Sequence, residues 1–332
     1  MSIGIGVIGA GNMGTDHART IDRFVSGAHV AVIADVDAGR ARAAADQVGA
    51  TSTDDATAVI RDSAVDAVLI ASHDSTHAAL CLATIEAGKP VLCEKPLAPT
   101  VGECEQILAA ESASGRSLVS VGFMRRFDPG YVQLKATLHD GEYGAPLLLH
   151  SVGRGVSSGP GTTSASSITN SAIHDLDVVA WLLDSPVVEA SWQAGRPSSL
   201  ADDFQDPQLI LLRTADGTLS TVETLLNARY GYDVRCEIVC ETGILELAEP
   251  VRTRRHASLG HTVGYAADWR PRFADAYRLE VQAWVDGLRG KDAAPVASSQ
   301  DGLQSLLVAE AVIASMNTGG QFVAVGTAER SG

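Results

Sequence analysis

A short apolar segment that leads directly into a glycine-rich turn constrains the fold of this chain more than any other feature. Residues 3–8 are rich in Ile and Val, which is typical of a strand buried on both faces. Gly9, Gly11 and Gly14 follow with the spacing G-x-G-x-x-G, and a helical stretch then runs to about Phe24. Glycines at these positions permit a tight turn. They also let a pyrophosphate come close to the backbone amides at the start of the helix, and these amides can bind it. The segment predicts a strand, a phosphate-binding turn and a helix.

The next predicted strand, residues 29–34, is followed directly by an acidic residue. Asp35 lies 21 residues beyond Gly14, where a carboxylate accepts hydrogen bonds from both hydroxyls of the adenosine ribose and repels a 2′-phosphate. Arg40 can pair with a 2′-phosphate, but a position on the solvated surface of a helix is the simpler interpretation of this residue. The pattern therefore favours NAD over NADP as the cofactor.

Strands and helices alternate over the first 122 residues. Further strands are predicted at 67–71, 91–93 and 118–121, and further helices at 39–48, 75–87 and 101–113. This alternation predicts an α/β domain with a doubly wound parallel sheet, a Rossmann domain, over residues 1–122.

The pattern changes after about Gly122. Strand-like segments without intervening helices follow at 147–152, 187–193, 208–213, 219–226, 234–240 and 244–247. Asp216-Gly217 is a hairpin signal between two of them. We therefore expect residues 123–332 to form an α+β domain with a large, mainly antiparallel sheet.

Two other features belong to this second region. Residues 153–171 are rich in Gly, Ser and Thr, a composition that predicts a long, mobile loop. The last predicted helices span residues 273–288 and 302–316.

The charge and the cysteines exclude several classes of function. With 25 Lys and Arg against 40 Asp and Glu, the net charge is −15, so a nucleic acid would meet net repulsion. No uninterrupted apolar stretch approaches the roughly 18 residues that span a bilayer, and the first residues do not resemble a secretory signal. The five scattered cysteines fit reduced thiols, and no spacing of Cys or His indicates a metal site. We expect a cytoplasmic protein without a membrane or nucleic-acid partner and without a bound metal.

Two segments carry candidate catalytic groups. Glu94-Lys95-Pro96 lies at the carboxyl end of a predicted strand, the edge at which open α/β sheets bind ligands. His174 is a natural proton acceptor at neutral pH, and helical spacing places Asn170, Asp177 and Trp181 on its face if the helix begins early enough. Simpler interpretations compete: Lys95 as an ordinary exposed lysine, Asn170 or Ser171 as a helix N-cap, and His174 as a partly buried histidine with satisfied hydrogen bonds.

These segments resemble the glucose–fructose oxidoreductase/inositol dehydrogenase family (Gfo/Idh/MocA), and within it the bacterial inositol 2-dehydrogenases. The resemblance rests on GAGNMG, Asp35, EKP at 94–96 and His174 with Asp177, and on GFMRRFDPGY at 122–131, DPQ at 206–208, YGYDVRCEIV at 230–239 and DWRPRF at 268–273. It implies NAD-dependent oxidation of a secondary ring hydroxyl of a cyclitol, and a second domain that closes the site and often mediates tetramers.

The resemblance also implies roles for individual residues. Lys95 matches the lysine near the reacting hydroxyl, His174 the catalytic base, and Asp177 a substrate-binding acid; Arg125 and Tyr232 match positions that face the substrate. We expect Lys95, His174 and Asn170 to be the catalytic set. The expected cofactor-binding residues are Gly9, Gly11, Asn12, Met13, Gly14, Asp35, Ser72, His73, Glu94 and Lys95.

The chain departs from the family pattern at two places. Asn170 stands four residues before the histidine, where the family usually has Asp, and an amide does not stabilise an imidazolium as a carboxylate does. At residues 153–155 this chain has Gly-Arg-Gly, where inositol dehydrogenases have a sequence similar to His-Arg-Asn. Two side chains that would contact ring hydroxyls are therefore missing. A pyranose sugar, a modified cyclitol or an aminocyclitol precursor is the alternative substrate, and a catalytically silent NAD-binding regulator is the alternative of another class.

Overall fold

The computed structural model describes residues 2–248, 253–257 and 259–326. The chain divides into two compact units, one of residues up to Phe127 together with Asp275–Gln304, and one of Asp128–Ala274 together with the residues from Ser305 onward. Residues 249–252, 258 and 327–332, which belong to the predicted second domain, lie outside the described residues, as does Met1.

The first unit alternates strands and helices as its sequence predicts. Its elements are β1 (Ile3–Ile8), α1 (Asn12–Phe24), β2 (Ala28–Ala34), α2 (Ala38–Ala45), β3 (Thr51–Thr53), α3 (Ala56–Arg61), β4 (Ala67–Ile70), α4 (His77–Glu86), β5 (Val91–Glu94), α5 (Val101–Ser114) and β6 (Val119–Gly122). Short 3-10 turns occupy Asp74–Thr76 and Met124–Phe127. Short β3 and α3 were not predicted, because their few residues carry no clear periodicity.

Within the described residues, the sheet of this unit has seven strands. The first six strands in the chain pair in parallel in the order β6-β5-β4-β1-β2-β3. The inner residues of β1 and β4 are buried on both faces, since helices cover both sides of such a sheet. The predicted Rossmann sheet is confirmed.

A later segment of the chain completes the first unit. It contains most of α10 (Ala274–Leu288), the edge strand β15 (Ala297–Ser298), which pairs antiparallel with β6, and the start of α11 (Ser299–Asn317). Trp284 and Val281 of α10 pack in one cluster with Ile5 and Leu69. The predicted boundaries, 1–122 and 123–332, do not include this return of the chain, because the helical pattern of α10 shows which face is apolar and not which sheet that face covers.

The second unit is built around a larger number of strands. Its elements are α6 (Pro129–His139), β7 (Pro146–Arg154), α7 (Ser164–Ser167), a π-helical turn (Ile168–Ala172), α8 (Ile173–Leu183), β8 (Val187–Ala194), β9 (Gln208–Thr214), β10 (Leu219–Leu225), β11 (Asp233–Cys240), β12 (Ile244–Glu246), β13 (Arg254–Ala257), β14 (Gly260–Val263), α9 (Trp269–Arg272), the end of α11, and β16 (Val323–Ala324).

The described strands form a seven-stranded sheet in the order β12-β11-β7-β10-β9-β8-β16, and β13 and β14 pair as a separate hairpin. Only β7 and β10 pair in parallel within the seven-stranded sheet as described; the other neighbours are antiparallel, which confirms the predicted mainly antiparallel sheet. Burial alternates along β9 and β10, so one face of the sheet is packed. The predicted hairpin at Asp216-Gly217 joins these two strands, and Gly217 has the positive φ of +93° that such turns require.

The prediction of a mobile loop over residues 153–171 is wrong at both ends. Strand β7 continues to Arg154, and a continuous helical segment begins at Ser164. Thr163 caps that helix, since its hydroxyl accepts the amide of Ser166 at 3.0 Å and its own amide donates to the Ser166 hydroxyl at 2.8 Å. This is a capping box with Ser in place of the usual Glu, so the polar composition concealed the start of a helix.

Candidate functional site

Each of the three glycines in the turn after β1 is a glycine for a different local reason. Gly9 has a φ of +100°, and a Cβ there would lie 2.5 Å from the carbonyl oxygen of Ala71. A Cβ on Gly14 would overlap the carbonyl oxygen of Gly9, whereas a Cβ on Gly11 would meet no atom within 4 Å. The protein itself therefore requires Gly9 and Gly14, while the bare backbone at Gly11 leaves open space at the start of α1. A pyrophosphate fits this arrangement, because it approaches the backbone closely at that position.

The residues that follow Gly11 begin α1. Asn12 is exposed and Met13 is half-buried. Their roles toward the cofactor remain predictions.

Asp35 is held in place by backbone and side-chain donors. Its Oδ2 accepts the amide of Ala10 at 2.8 Å, and its Oδ1 accepts the amide of Asp37 at 2.9 Å and Nη2 of Arg40 at 2.7 Å. Burial acts to raise the pKa of Asp35, but these donors outweigh it and hold the pKa below its usual value. The carboxylate is thus ionised and aimed at the glycine turn, as ribose binding requires.

Arg40 lies on the exposed surface of α2, as predicted, and it also has a specific partner there. Its side chain is about half exposed and forms an ion pair with Asp35 across the start of α2. Asp37 caps that helix by accepting the amides of Gly39 and Arg40, which brings the arginine to the carboxylate.

Ser72 and His73 follow β4, the neighbour of β1, so the parallel sheet brings them to the same edge as the glycine turn. The amide nitrogen of Ser72 would lie 2.5 Å from a Cβ on Gly9, and the Ser72 hydroxyl lies 2.7 Å from that of Thr76. The His73 side chain is largely exposed, and its Nδ1 lies 2.7 Å from Oδ1 of Asp74.

Lys95 follows β5 at this same edge, and its pKa is perturbed. Burial of the ammonium and repulsion from Arg125 lower the pKa of Lys95, while the carboxylates of Glu94 and Asp74 act in the opposite direction; the net effect is a pKa below the usual value. Arg125 is itself buried, in the 3-10 turn after β6. The first unit therefore brings Lys95 and Arg125 close enough for the charge of the arginine to act on the pKa of the lysine. A lysine with this environment is a candidate for a functional site.

Glu94, one of the residues predicted to bind the cofactor, is buried, and both oxygens of its carboxylate have partners within the first unit. Its Oε1 accepts Nε2 of His17 at 2.8 Å, and its Oε2 accepts the amide of Lys95 at 3.3 Å. Burial acts to raise the pKa of Glu94, but His17 and Lys95 lower it below its usual value. Sequence reasoning missed His17. The available signal was its position three residues after Gly14, on the buried face of α1.

The second unit presents His174, Asp177 and Asn170 on the helical segment that begins at Ser164. Asn170 is exposed within the π-helical turn, His174 is half-buried at the start of α8, and Asp177 is buried. The Ser305 hydroxyl donates to Oδ1 of Asp177 at 3.4 Å. Because the helix already begins at Ser164, neither Asn170 nor Ser171 is its N-cap, and that alternative is wrong. A π-helical turn within a helix is frequent at functional sites.

Tyr232 lies just before β11 in the same unit. Its amide donates to the carbonyl of Ala266 at 2.8 Å, and its half-buried ring contacts that of Phe273 edge to face, with 6.2 Å between centroids. The phenol is therefore carried on a ring held by backbone pairing and aromatic packing.

The segment Gly153-Arg154-Gly155 ends β7. Arg154 donates to both carboxylate oxygens of Glu223, from Nε at 2.7 Å and from Nη2 at 3.1 Å, and the hydrogen bond to Glu223 is the main reason that its pKa is raised. A Cβ on Gly155 would lie 3.2 Å from the carbonyl oxygen of Leu226, so a larger residue there requires a small backbone shift.

Three further findings bear on the expectations from the sequence. All five cysteines are free and buried. Among the described residues, no helix has the length and apolar character needed to cross a membrane. The same residues contain no group of three or more His, Cys, Asp or Glu side chains placed to hold a metal ion.

The parallel sheet, its glycine turn and the carboxylate after β2 define a dinucleotide-binding protein with a second, sheet-rich unit. The family models agree: residues 3–123 match the GFO/IDH/MocA oxidoreductase family with its NAD-binding Rossmann fold, and residues 159–325 match the C-terminal alpha/beta domain of the same family. The chain belongs to the Gfo/Idh/MocA family. It is therefore an NAD-dependent oxidoreductase, and its first unit holds the cofactor.

Relatives are similar to the chain over nearly its whole length. It is 53% identical to an inositol 2-dehydrogenase of Paenarthrobacter aurescens, over 96% of this chain and 98% of the relative. It is 46% identical to one from Saccharopolyspora erythraea, over 96% of this chain and 95% of that protein. Among solved structures, myo-inositol dehydrogenase of Lactobacillus casei in complex with NAD(H) and myo-inositol has a TM-score of 0.93 and 30% identity, and the similarity covers 99% of this chain and 98% of that one.

Proposed function

We propose that this protein oxidises a secondary ring hydroxyl of a cyclitol to a ketone with NAD, and that its substrate is myo-inositol, oxidised at the 2-position. The observation that carries the proposal is the 53% identity over nearly the full chain to a protein named inositol 2-dehydrogenase. The geometry at Gly11 and Asp35 supports the cofactor, and the perturbed pKa of Lys95 supports a functional role for that residue.

The chemistry follows from the side chains. NAD, when bound, supplies the acceptor for the hydride. His174 takes the proton of the reacting hydroxyl, and Lys95 donates a hydrogen bond to the same oxygen and stabilises the negative charge that develops there. Asp177, Arg125 and Tyr232 orient the ring through its other hydroxyls. Asn170 orients the imidazole in place of a carboxylate.

A pyranose sugar or a modified cyclitol is the second candidate substrate. The specific observation in its favour is that Gly153 and Gly155 carry no side chain, whereas inositol dehydrogenases have a sequence similar to His-Arg-Asn at residues 153–155. Each missing hydrogen bond to a substrate hydroxyl removes roughly 0.5–1.5 kcal/mol of binding, and more where the hydroxyl stays buried and unpaired.

The test is NADH formation by the purified protein with NAD and myo-inositol at mildly alkaline pH. Rapid turnover supports the proposal. Turnover with a pyranose or a substituted cyclitol but not with myo-inositol would replace the substrate and keep the reaction. Demonstrable NAD binding without turnover of any polyol would favour the catalytically silent regulator.

Asp35 gives a prediction about the choice of cofactor. Replacing Asp35 with Ala removes the acceptor for two ribose hydroxyls and leaves Arg40 available for a 2′-phosphate. We expect kcat/KM with NAD to fall roughly 30-fold, equivalent to about 2 kcal/mol for charged hydrogen bonds, while kcat/KM with NADP rises. Steady-state kinetics with both cofactors measure this. The matched control is Asp37→Ala, which removes the neighbouring carboxylate and the cap of α2; an equal loss with NAD in that variant would contradict the assignment to Asp35.

We also propose that the protein acts in the cytoplasm as a homo-oligomer, a tetramer by its resemblance to the family. The five free cysteines support the location, because thiols stay reduced in the cytoplasm.

A further inference from the structure

The buried pair of His17 and Glu94 lies immediately next to the candidate catalytic lysine. Neither residue is assigned to the transfer of proton or hydride, and Glu94 is expected only among the cofactor-binding residues. His17 is 3% exposed and Glu94 8%. A buried carboxylate without a partner is costly, and breaking a buried pair by removing one partner costs several kcal/mol. Because burial of such a pair is costly, its presence beside Lys95 calls for a functional explanation.

The pair joins two parts of the first unit that are far apart in the chain. His17 belongs to α1, one turn after the glycine turn, whereas Glu94 ends β5, 77 residues later. The second oxygen of the Glu94 carboxylate accepts the amide of Lys95. One carboxylate therefore connects the helix of the glycine turn to the backbone of the lysine.

Both members of the pair are held from other sides. The His17 ring meets the ring of Tyr277 edge to face at 5.5 Å and 84°, which restricts its rotation. A Cβ on Gly122 of β6 would lie 3.3 Å from Oε2 of Glu94, so this strand packs closely against the carboxylate. The pair thus has one well-defined geometry.

A second contact restrains the other side of the lysine. The carbonyl oxygen of Pro96 lies 2.7 Å from Nδ1 of His77, a buried residue of α4. The peptide unit before Lys95 is therefore held through Glu94 and His17, and the peptide unit after Pro96 is held by His77.

We propose that His17 and Glu94 are positioning residues, which hold the backbone and charge environment of Lys95 in register with the glycine turn. The catalytic meaning of this role rests on the proposed function, since Lys95 is assigned there to the reacting oxygen. The charged groups that influence Lys95 are Glu94, Asp74 and Arg125, and Glu94 supplies the largest attraction among them.

Glu94 directly, and His17 through Glu94, both act to raise the pKa of Lys95. Glu94 raises the pKa of Lys95, so removing its charge lowers that pKa further. His17 lowers the pKa of Glu94, so without His17 the carboxyl is more readily protonated and attracts Lys95 less. Glu94→Gln and His17→Leu should therefore move the titration of Lys95 in the same direction, to lower pH.

The experiment measures Lys95 directly. The full-length protein is treated with acetic anhydride at a series of pH values, and the acetylated fraction of Lys95 is followed by peptide mass spectrometry. We expect half-maximal labelling at lower pH in Glu94→Gln and in His17→Leu than in the natural protein. His17→Gln keeps a donor at the position of Nε2 and should restore most of the natural profile.

Kinetic measurements accompany the labelling. If NADH formation from myo-inositol is observed, both disruptive variants should lose roughly 10- to 100-fold in kcat, with the dissociation constant of NAD changed less than about threefold. The alkaline fall of kcat should move to lower pH with the labelling profile. Thr84→Val is the matched control, because it removes a buried hydroxyl of the same unit that donates to Leu80 within α4; it should leave both profiles unchanged.

Two results would overturn the inference. One is a Lys95 labelling profile in Glu94→Gln that coincides with the natural profile. The other is a large rise in the NAD dissociation constant with unchanged labelling, which would make Glu94 a direct cofactor ligand. Glu94→Gln keeps the shape of the side chain, so it decides the matter even if His17→Leu does not fold. Failure of myo-inositol as a substrate affects only the proposed function, since labelling needs no turnover.

Discussion

Replacement of His174 by Ala is expected to lower kcat for NADH formation by roughly 10³-fold, because a general base contributes about 10²- to 10⁴-fold. The imidazole is half-buried at the start of α8, and the substitution removes the group that takes the hydroxyl proton. The dissociation constant of NAD should change little, since the predicted cofactor-binding residues all belong to the first unit. Steady-state kinetics and NADH fluorescence titration measure the two quantities.

The control for His174 is another histidine of the second unit. His139, at the end of α6, is exposed and its Nε2 contacts the carboxylate of Asp184, so His139→Ala should keep full turnover. Added imidazole should restore part of the activity of His174→Ala, because it supplies a base that is free to enter the vacated space. Normal turnover in His174→Ala would show that another group takes the proton.

Replacement of Lys95 by Ala is expected to lower kcat by about 10²- to 10³-fold, the usual effect of removing one donor that stabilises a developing oxyanion. The pH dependence supplies a second test. Burial and Arg125 lower the pKa of Lys95, so the ammonium loses its proton at a lower pH than an ordinary lysine, and activity should fall as the pH rises through that value. In Lys95→Arg the guanidinium stays charged, so any remaining activity should not show this alkaline fall.

The chain offers a matched control for Lys95 at the other end of the same strand. Lys89 precedes β5, also has a lowered pKa through burial, and donates to the carbonyl of Asp62 at 2.7 Å. Lys89→Ala should lower stability by about 1–3 kcal/mol through the carbonyl left without its donor, and should leave kcat unchanged. Equal losses of kcat in Lys89→Ala and Lys95→Ala would indicate that both changes act by disturbing the sheet, and would contradict a direct role of Lys95 in the reaction.

The parts of the site that sequence reasoning identified correctly depend on short-range patterns. Gly9 and Gly14 are required by contacts within one strand–turn–helix segment and with the adjacent strand, and Asp35 ends the next strand along the chain. Periodicity and spacing are sufficient to predict such features. The hairpin at Asp216-Gly217 was predictable for the same reason.

The errors have physical causes as well. The helix from Ser164 was taken for a loop because its first turn is made of Ser and Ala and its capping box uses Ser166. The ion pair between Arg40 and Asp35 was not predicted, because the cap at Asp37 that brings the two side chains together forms only with the helix in place. The return of residues 275–304 to the first unit was not predicted, because an apolar helix face indicates burial without indicating which sheet it covers.

The sequence by itself determined the parallel sheet, the dinucleotide turn and the acidic residue after β2, because each depends on residues close together in the chain. Only the tertiary structure decided which buried groups surround Lys95. His17 and Glu94 are 77 residues apart, and neither residue type predicts burial by itself. Their pairing follows from the neighbouring positions of a helix and a strand end in the folded sheet, and it is there that the charge and position of the lysine are set.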